Sequence, residues 1–338
     1  LDANQTRTQW ADRTVDSLCP FCGVGCQLTY HIKDDRILHV TGKDGPANHA
    51  RLCVKGRFGY DYASHPDRLT VPLIRKDGVP KSADDEVDPA NPWTHFREAT
   101  WEEAYDFIAT KLNQVKAANG PDAIAGISSA RCTNEENYLM QKFIRAVIGT
   151  NNIDSCARVC HSPTAIGMQR TFGTGAATNS IIDLEYTDCM MVIGANPTSA
   201  HPVTGAKIKQ QAMKGKTLIV IDPRKTELAN YAQYHLQLRP GTNVAVLNMM
   251  LYYIVKEELE DETFIANRTE GYEDFKQHIL QLNIDELEQV SGVNRNLVRE
   301  AAIAYASATN AMSFHGLGVT EHSYGTYTVM LIADLAMI

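Results

Sequence analysis

Cys160 and His161 are adjacent in the run Cys156-Ala-Arg-Val-Cys160-His161-Ser-Pro163. A thiolate beside an imidazole is either a metal ligand with a proton acceptor at hand or a nucleophile with its base. Cys156 competes for either role, because a four-residue spacing puts two thiols on one helical face. The structural alternative is two buried cysteines and a surface histidine. Upstream, Arg131 and Cys132 stand in a loop. Arg131 brings a cation that can steady an anionic group, while Cys132 stays ambiguous.

A second set of chemistry-bearing residues opens the chain. Cys19, Cys22, Cys26 and Cys53 follow the pattern C-x2-C-x3-C-x26-C. Three thiolates on a tight loop and one from a distant segment suit the four corners of a cubane cluster. Gly23 and Gly25 let the backbone fold closely around it. The alternative is a structural zinc site with four cysteine ligands, which more usually pairs two C-x2-C units. Lys55, two residues past the last cysteine, places a cation beside the cluster, or else is a solvated surface lysine.

The elements that must position these residues are legible in part. Residues 1–17 are polar and read as a linker. Gln27 to His31 and Arg36 to Thr41 read as a hairpin around Asp34-Asp35. Tyr60 to Ile74 reads as an extended linker, and Lys81 to Pro92 as a loop. Capping boxes at Thr100/Glu103 and Thr133/Glu136 open two helices. The first has an apolar face of Trp101, Ala104, Tyr105, Ile108, Leu112 and Val115. The second has one of Leu139, Met140, Phe143, Ile144, Val147 and Ile148, and Gly149 follows where a left-handed cap belongs. Ile124 to Ile127 reads as a short strand.

In the second half, four apolar strands alternate with helices. Cys189–Ile193 runs into Gly194 and Asn196. Thr217–Ile221 runs into Asp222, Pro223 and Arg224. His235 to Leu238 runs into Gly241, Thr242 and Asn243. Ala311 to Phe314 runs into Gly316 and Gly318. This alternation predicts a parallel, Rossmann-like sheet. Small polar residues at four strand ends can line a nucleotide crevice, although ordinary turn chemistry explains each loop taken singly. Asp222 can pair with a ribose or guanine edge, and the Gly241-Thr242-Asn243 turn can meet a phosphate. No G-x-G-x-x-G is present, which favours a nucleotide binder other than a plain NAD domain. Cys189 reads as core.

Composition bounds the rest. Hydrophobic residues at 44% and charged residues at 21% describe an ordinary globular chain of 338 residues, long enough for two or three domains. A net charge of −8 without a basic run speaks against nucleic acid as a partner. The longest apolar run, Val244 to Val255, is broken by Asn248 and too short to span a bilayer. Clustered cysteines and the lack of a signal peptide point to a reducing, cytoplasmic setting. The chain starts at Leu1 rather than Met, which leaves room for an upstream segment. It stops inside the amphipathic run Ser323 to Ile338, as a fragment of a longer protein would.

The sequence C-P-F-C-G-V-G-C, the L-C-V-K-G-R box and the R-V-C-H-S-P segment together resemble the molybdopterin oxidoreductases, and more narrowly the formate dehydrogenase catalytic subunits. The resemblance covers the chain from about Ser17 onward. The four-cysteine pattern also fits nitrate reductases and the large subunit of respiratory complex I; the Cys160-His161 dipeptide is the more selective element. The resemblance implies an α/β fold of the DMSO-reductase type. A [4Fe–4S] domain would occupy residues 1–60, a first α/β segment 61–150, and a Rossmann-like cofactor domain 151–338. It implies bis-molybdopterin guanine dinucleotide with Mo or W, whose guanine dinucleotide arms lie in the strand-end loops. Cys160 would be the metal ligand and His161 the proton acceptor for reversible oxidation of formate to CO2. Electrons would pass Lys55 to the cluster, then to a partner domain or subunit carrying Fe–S or flavin, with NAD among the final acceptors. The family's formate-binding arginine segment and C-terminal cofactor domain are not in this sequence. The rival readings are a nitrate reductase of the same fold and a non-catalytic electron relay.

Overall fold

Residues 10–81, 86–88 and 91–338 are described by the computed structural model. Residues 1–9 of the polar N-terminal run, and residues 82–85 and 89–90 of the Asp- and Pro-rich loop, lie outside them. The chain divides into two units. One comprises Leu1–Ile32, Leu38–Arg57 and Ala157–Ile338; the other comprises Lys33–Ile37 and Phe58–Cys156.

In the first unit the alternating strands and helices build a parallel sheet. Its spatial order is Tyr234–Leu236, Thr217–Ile221, Cys189–Ile193, Ala311–His315. The third expected strand therefore begins and ends earlier than His235 to Leu238, and the fourth extends to His315. Successive residues of a strand face opposite sides, and both sides are covered. Met191, Ile193, Ile219 and Ile221 pack under the helices Asn243–Lys256 and Arg295–Ala306. Met190, Val192, Leu218 and Val220 pack with Ile208 of the helix Pro202–Met213. A parallel strand covered on both faces reads as an unbroken apolar run, which is why Cys189-Met-Met-Val-Ile193 was so visible. Cys189 is core, and burial pushes its thiol up to about 12.

Strands are added outward from Cys189–Ile193 in one direction, and the last one, Ala311–His315, pairs on the opposite side. Chain order thus reverses between these two strands. In open α/β sheets ligands sit at such a reversal, outside the carboxyl ends of the strands. Gly194 and Gly316 follow directly from those two ends.

Near the N-terminus a three-stranded sheet is formed by Arg13–Leu18, Gln27–Lys33 and Arg36–Gly42, with residues 33–37 at its hairpin turn counted in the other unit. The hairpin is as expected, and Asp34 and Asp35 both take positive φ (48° and 56°), as a two-residue type I′ turn requires. The linker reading fails for residues 13–17. Arg13–Leu18 pairs antiparallel with Gln27–Lys33, from Arg13↔Ile32 to Leu18↔Gln27. Backbone pairing, not an apolar pattern, recruits this strand; all six of its residues are exposed.

In the second unit Gly126–Ser128 pairs in parallel with Ile153–Ser155. The helix Asn134–Lys142 has the full capping box at Thr133/Glu136 and runs on as a π-helical turn, Phe143–Ile148, closed by Gly149 at φ 89°. The helix Trp101–Asn119 has half a box. Thr100 accepts from the Glu103 N–H, but the Glu103 carboxylate pairs with Arg97 Nη2 at 2.6 Å. Of the two expected apolar faces, only Ala104, Ile144 and Ile148 are buried, whereas Trp101, Tyr105, Ile108, Leu139 and Val147 are exposed. The extended linker over 60–74 is also corrected: Gly59–Ser64 is 3-10 helical and Leu73–Arg75 pairs antiparallel with Phe96–Glu98. Among the described residues no helix is long and apolar enough to cross a membrane.

Candidate active site

The four N-terminal cysteines converge. Cys19, Cys22, Cys26 and Cys53 line one pocket with Lys55 and Gly56, and its other wall is Ala200, Pro202 and Val203 at the start of the helix Pro202–Met213. The Cys19 N–H donates to the Cys26 carbonyl at 2.9 Å, closing the three-cysteine loop on itself. Gly25 turns it with φ 76°. A Cβ on Gly56 would stand 3.3 Å from Cys19 Sγ, so the glycine lets this segment pass close to the thiol. The segment leading to Cys53 is held by Asn48, which is fully buried. Its amide donates to the carbonyls of Gln27, Lys43 and Arg51, and its oxygen accepts from the Gln27 N–H.

Burial first, then the neighbouring thiols, push the Cys26 thiol up to about 11 and raise Cys19 as well. The four thiols face the one pocket they line. Among the described residues no three His, Cys, Asp or Glu side chains come close enough to hold a single metal ion. Four thiols lining one pocket are a ligand set that a cubane cluster can take, one at each corner.

Cys160 ends the short helix Ala157–Cys160, and His161 breaks the chain between it and the helix Ser162–Phe172 with φ −135° and ψ 11°. Pro163 in the first turn of that second helix suits such a start. The Thr320 hydroxyl donates to the Cys160 carbonyl at 2.6 Å. His161 Nδ1 lies 3.3 Å from Thr164 Oγ1, which lies 2.9 Å from His315 Nε2. Thus the short helix Leu317–Thr320 reaches Cys160 directly, and the strand Ala311–His315 reaches His161 through Thr164.

Cys156 and Arg131 belong to the other unit. Cys156 Sγ accepts from the Ala130 N–H at 3.3 Å. That N–H, then the Ser129 hydroxyl, hold the exposed Cys156 thiol below the usual range, with the Arg131 charge assisting. Its competition with Cys160 is therefore chemical as well as positional. The Arg131 N–H donates to Ser129 Oγ at 3.2 Å, fixing the loop that carries its side chain.

The strand-end loops of the first unit are closely fitted. The Gly194 N–H donates to the Ile221 carbonyl, and the Gly318 N–H to the Gly194 carbonyl, each at 2.9 Å. Asn196 Oδ1 accepts from the Thr198 hydroxyl. Asp222 is buried, and its Oδ1 accepts from the Arg224 N–H at 2.8 Å, so one carboxylate oxygen shapes its own turn. The Pro223 carbonyl accepts from Gln237, and the Arg224 side chain is exposed. Gly241 has φ 86°. The Thr242 hydroxyl donates to the Arg239 carbonyl, and Asn243, buried, donates to the Gly318 carbonyl at 3.0 Å. Asn243 thereby ties the Gly241 turn to the Gly316–Gly318 turn. Thr242 leaves the N-terminus of the helix Asn243–Lys256 without a side-chain cap, as an anion-accepting terminus would be. In the Asp222 loop, the buried Thr226 hydroxyl has no hydrogen-bond partner, nor does the buried Lys207 ammonium on the helix Pro202–Met213. Buried polar groups left unpaired are costly, so the Thr226 hydroxyl fits a loop that takes a polar group.

Sequence reasoning missed Thr164, His315, Thr320, Asn48 and Lys207. His315 alone carried a readable signal, as an ionisable residue at the end of an apolar strand.

The Molybdopterin oxidoreductase family profile matches residues 68–338, and that of the Molybdopterin oxidoreductase Fe4S4 domain matches residues 12–65. The chain is 42% identical over 327 residues to the F420-dependent formate dehydrogenase subunit alpha of Methanocaldococcus jannaschii, covering 96% of this chain and 46% of that protein. It is 37% identical over 331 residues to formate dehydrogenase H of Escherichia coli, covering 96% and 44%. The chain thus spans about half the length of the curated relatives it matches. Among solved structures, acetylene hydratase from Pelobacter acetylenicus shares the fold with a TM-score of 0.78 at 24% identity, over 96% of this chain and 43% of that one.

Proposed function

Because the chain belongs to the molybdopterin oxidoreductase family, we propose that it is the N-terminal part of a formate dehydrogenase catalytic subunit that oxidises formate reversibly to CO2. Its cofactors are a [4Fe–4S] cluster and a molybdenum or tungsten pterin. The single observation that carries the reading is the anchored Cys160-His161 pair, held through the Cys160 carbonyl and the His161 ring.

When bound, the metal pterin supplies an acceptor for the two electrons that formate gives up on becoming CO2. The residues of this chain do the rest. Cys160 presents its thiolate to the metal, a soft ligand that must be deprotonated to bind. His161 takes the proton released as HCOO⁻ becomes CO2, H⁺ and two electrons. Arg131 steadies the formate carboxylate or a pterin anion. Cys19, Cys22, Cys26 and Cys53 would hold the cluster, and Lys55 beside them would offset its negative charge. Gly194, Asn196, Asp222, Pro223, Arg224, Gly241, Thr242, Asn243, Gly316 and Gly318 form the crevice for the guanine dinucleotide arms of a bis-pterin cofactor.

The division into residues 1–60, 61–150 and 151–338 belongs to this reading. So do a cytoplasmic location and a partner domain or subunit with an Fe–S or flavin centre, NAD-linked forms included. The test is metal analysis of the full-length, anaerobically purified protein with formate and nitrate assays. Iron, Mo or W, and dye reduction by formate are the expected result. Nitrate reduction without formate oxidation, or a protein with iron and no Mo or W, overturns it.

A further inference from the structure

The fourth cluster cysteine lies far along the chain from the other three, and one buried side chain joins the two segments. Gln27 directly follows Cys26, and Arg51 stands two residues before Cys53. Asn48 is fully buried and binds both. Its Oδ1 accepts from the Gln27 N–H at 3.1 Å, and its Nδ2 donates to the Gln27 carbonyl at 3.0 Å. The side-chain amide thus pairs with Gln27 as a neighbouring strand would, through a donor and an acceptor together. Nδ2 also lies 2.9 Å from the Arg51 carbonyl and 3.2 Å from the Lys43 carbonyl. It has two protons for three acceptors, so one N–H is shared. On the main chain, the Arg51 N–H donates to the Asn48 carbonyl at 2.9 Å. Asn48 therefore grips both backbone groups of Gln27 and both of Arg51.

The turn from Asn48 to Arg51 needs that grip. His49 and Ala50, its two central residues, have φ 44° and 59°. Neither is glycine, and successive left-handed residues that carry side chains persist only where their surroundings hold them. Room for the turn is made by two glycines. A Cβ on Gly42 would collide with the Ala50 carbonyl oxygen, and one on Gly45 would stand 2.9 Å from Asn48 Oδ1. The loop of the first three cysteines is closed by other contacts, the Cys19 N–H on the Cys26 carbonyl and the left-handed Gly25. Loosening Asn48 therefore frees the segment of Cys53 and leaves that loop closed.

We propose that Asn48 is the positioning residue for the fourth corner of the cluster: it ties Cys53 to the loop of Cys19, Cys22 and Cys26, and without its amide the site keeps three thiolates and one iron without a protein ligand. The proposal deepens the cluster part of the reading above and rests on it. Asn48 is not a ligand; it acts through the backbone of Gln27 and Arg51.

The experiment uses the full-length, anaerobically purified protein. Asn48→Leu keeps the size of the side chain and removes its hydrogen bonds. Asn48→Asp keeps the acceptor and loses the donors. Cys53→Ala is the reference for a lost corner. Val40→Ala, at a buried position of the strand Arg36–Gly42, is the control for general weakening of this sheet. Each protein receives one equivalent of ferricyanide. An iron without a thiolate is then released: [4Fe–4S]2+ gives [3Fe–4S]+ and Fe2+, and the one electron passes to ferricyanide. Wild type and Val40→Ala keep about four irons per chain, whereas Cys53→Ala and both Asn48 variants fall to about three and show the paramagnetic signal of an oxidised three-iron cluster. The second readout identifies the corner. Iodoacetamide followed by peptide mapping modifies Cys53 in Asn48→Leu and spares Cys19, Cys22 and Cys26; in wild type it spares all of them. The proposal is overturned if both Asn48 variants keep all their iron or lose all of it, if Val40→Ala loses an iron as readily, or if the modified thiol is not Cys53. Wild type that holds zinc and no iron overturns the cluster reading instead, and the modification of Cys53 in Asn48→Leu then still decides whether Asn48 holds the fourth ligand.

Discussion

Gly194 and Gly318 cross backbone on backbone at the carboxyl ends of neighbouring strands. A Cβ added to Gly194 would stand 2.6 Å from the Gly318 carbonyl carbon, and one added to Gly318 would stand 2.7 Å from Gly194 Cα. This crossing lies where strand order reverses. It also explains why two glycines, rather than any small residue, stand there.

Gly194→Ala should therefore be among the more damaging single-methyl insertions in the chain. Gly194 has φ 57°, so alanine meets left-handed strain as well as a backbone clash that no rotamer change relieves. The expected loss is about 2–4 kcal/mol, as overpacking and strain together give. Gly241→Ala is the control, since its φ is 86° but nothing lies within 4 Å of its added Cβ. It should lose only about 1–2 kcal/mol, the left-handed cost alone. Urea midpoints of the two variants decide the matter. Equal losses would mean that the crossing contributes nothing beyond the φ requirement.

The cluster pocket makes a compositional prediction. Four thiols that serve one cubane should bring about four irons per chain in anaerobically purified protein, with broad charge-transfer absorption. Cys26→Ala, which removes the buried thiol of the four, should cost most of that iron while leaving the parallel sheet folded. Stoichiometric zinc without iron, in protein never exposed to air, would return the site to the structural-zinc alternative.

Much of this architecture was legible because burial writes itself into apolar runs. The strands Cys189–Ile193 and Thr217–Ile221 have the expected bounds, since both faces of each are covered. Arg13–Leu18 was not legible, because it joins the sheet through its backbone while its side chains stay in water. The apolar faces of Trp101–Asn119 and of the helix after Thr133 were legible as patterns, yet most of those side chains are exposed in this unit. Of the site, the cysteines and Cys160-His161 were readable from residue type and spacing. Thr164, His315 and Thr320 were not, because 151 residues separate Thr164 from His315 and 160 separate Cys160 from Thr320. The pairing of Ala311–His315 beside Cys189–Ile193 and the packing of the helix Ser162–Phe172 on the helix Gly325–Met337 bring them together.

His315 also makes a prediction about acid. Its pKa is about 4 in the folded chain against an ordinary value of 6.5. Between those values the unfolded chain binds the proton and the folded chain does not, so stability rises with pH across that window. The contribution is fully present above pH 6.5 and is lost as pH falls through 4. At about 1.4 kcal/mol per unit it amounts to at most about 3.5 kcal/mol, less for the part of the ring that water reaches. His315→Gln should flatten the fall in stability between pH 6.5 and 4.5, measured as the difference in urea midpoint from wild type at each pH. A variant that loses stability on acidification as steeply as wild type would show that His315 is hydrated in the folded protein.

The assignment of the metal ligand rests on Cys160 against Cys156, and the two thiols differ in what surrounds them. The Ala130 N–H and the Ser129 hydroxyl hold the Cys156 thiol below the usual range. An activated, exposed thiol alone would make it the better nucleophile. Cys160 has instead what a ligand in formate oxidation needs, an imidazole next in the chain and a carbonyl tied down by Thr320 at 2.6 Å. In the full-length protein Cys160→Ala should abolish formate oxidation while the iron stays bound. Cys156→Ala should keep most of the activity. His161→Ala should keep the metal and lose turnover by about 10²- to 10⁴-fold, the range for a removed general base. Formate-dependent dye reduction with parallel Mo, W and iron analysis measures all three. Activity surviving in Cys160→Ala but not in Cys156→Ala would reverse the assignment, and normal turnover in all three would place the chemistry elsewhere in the chain.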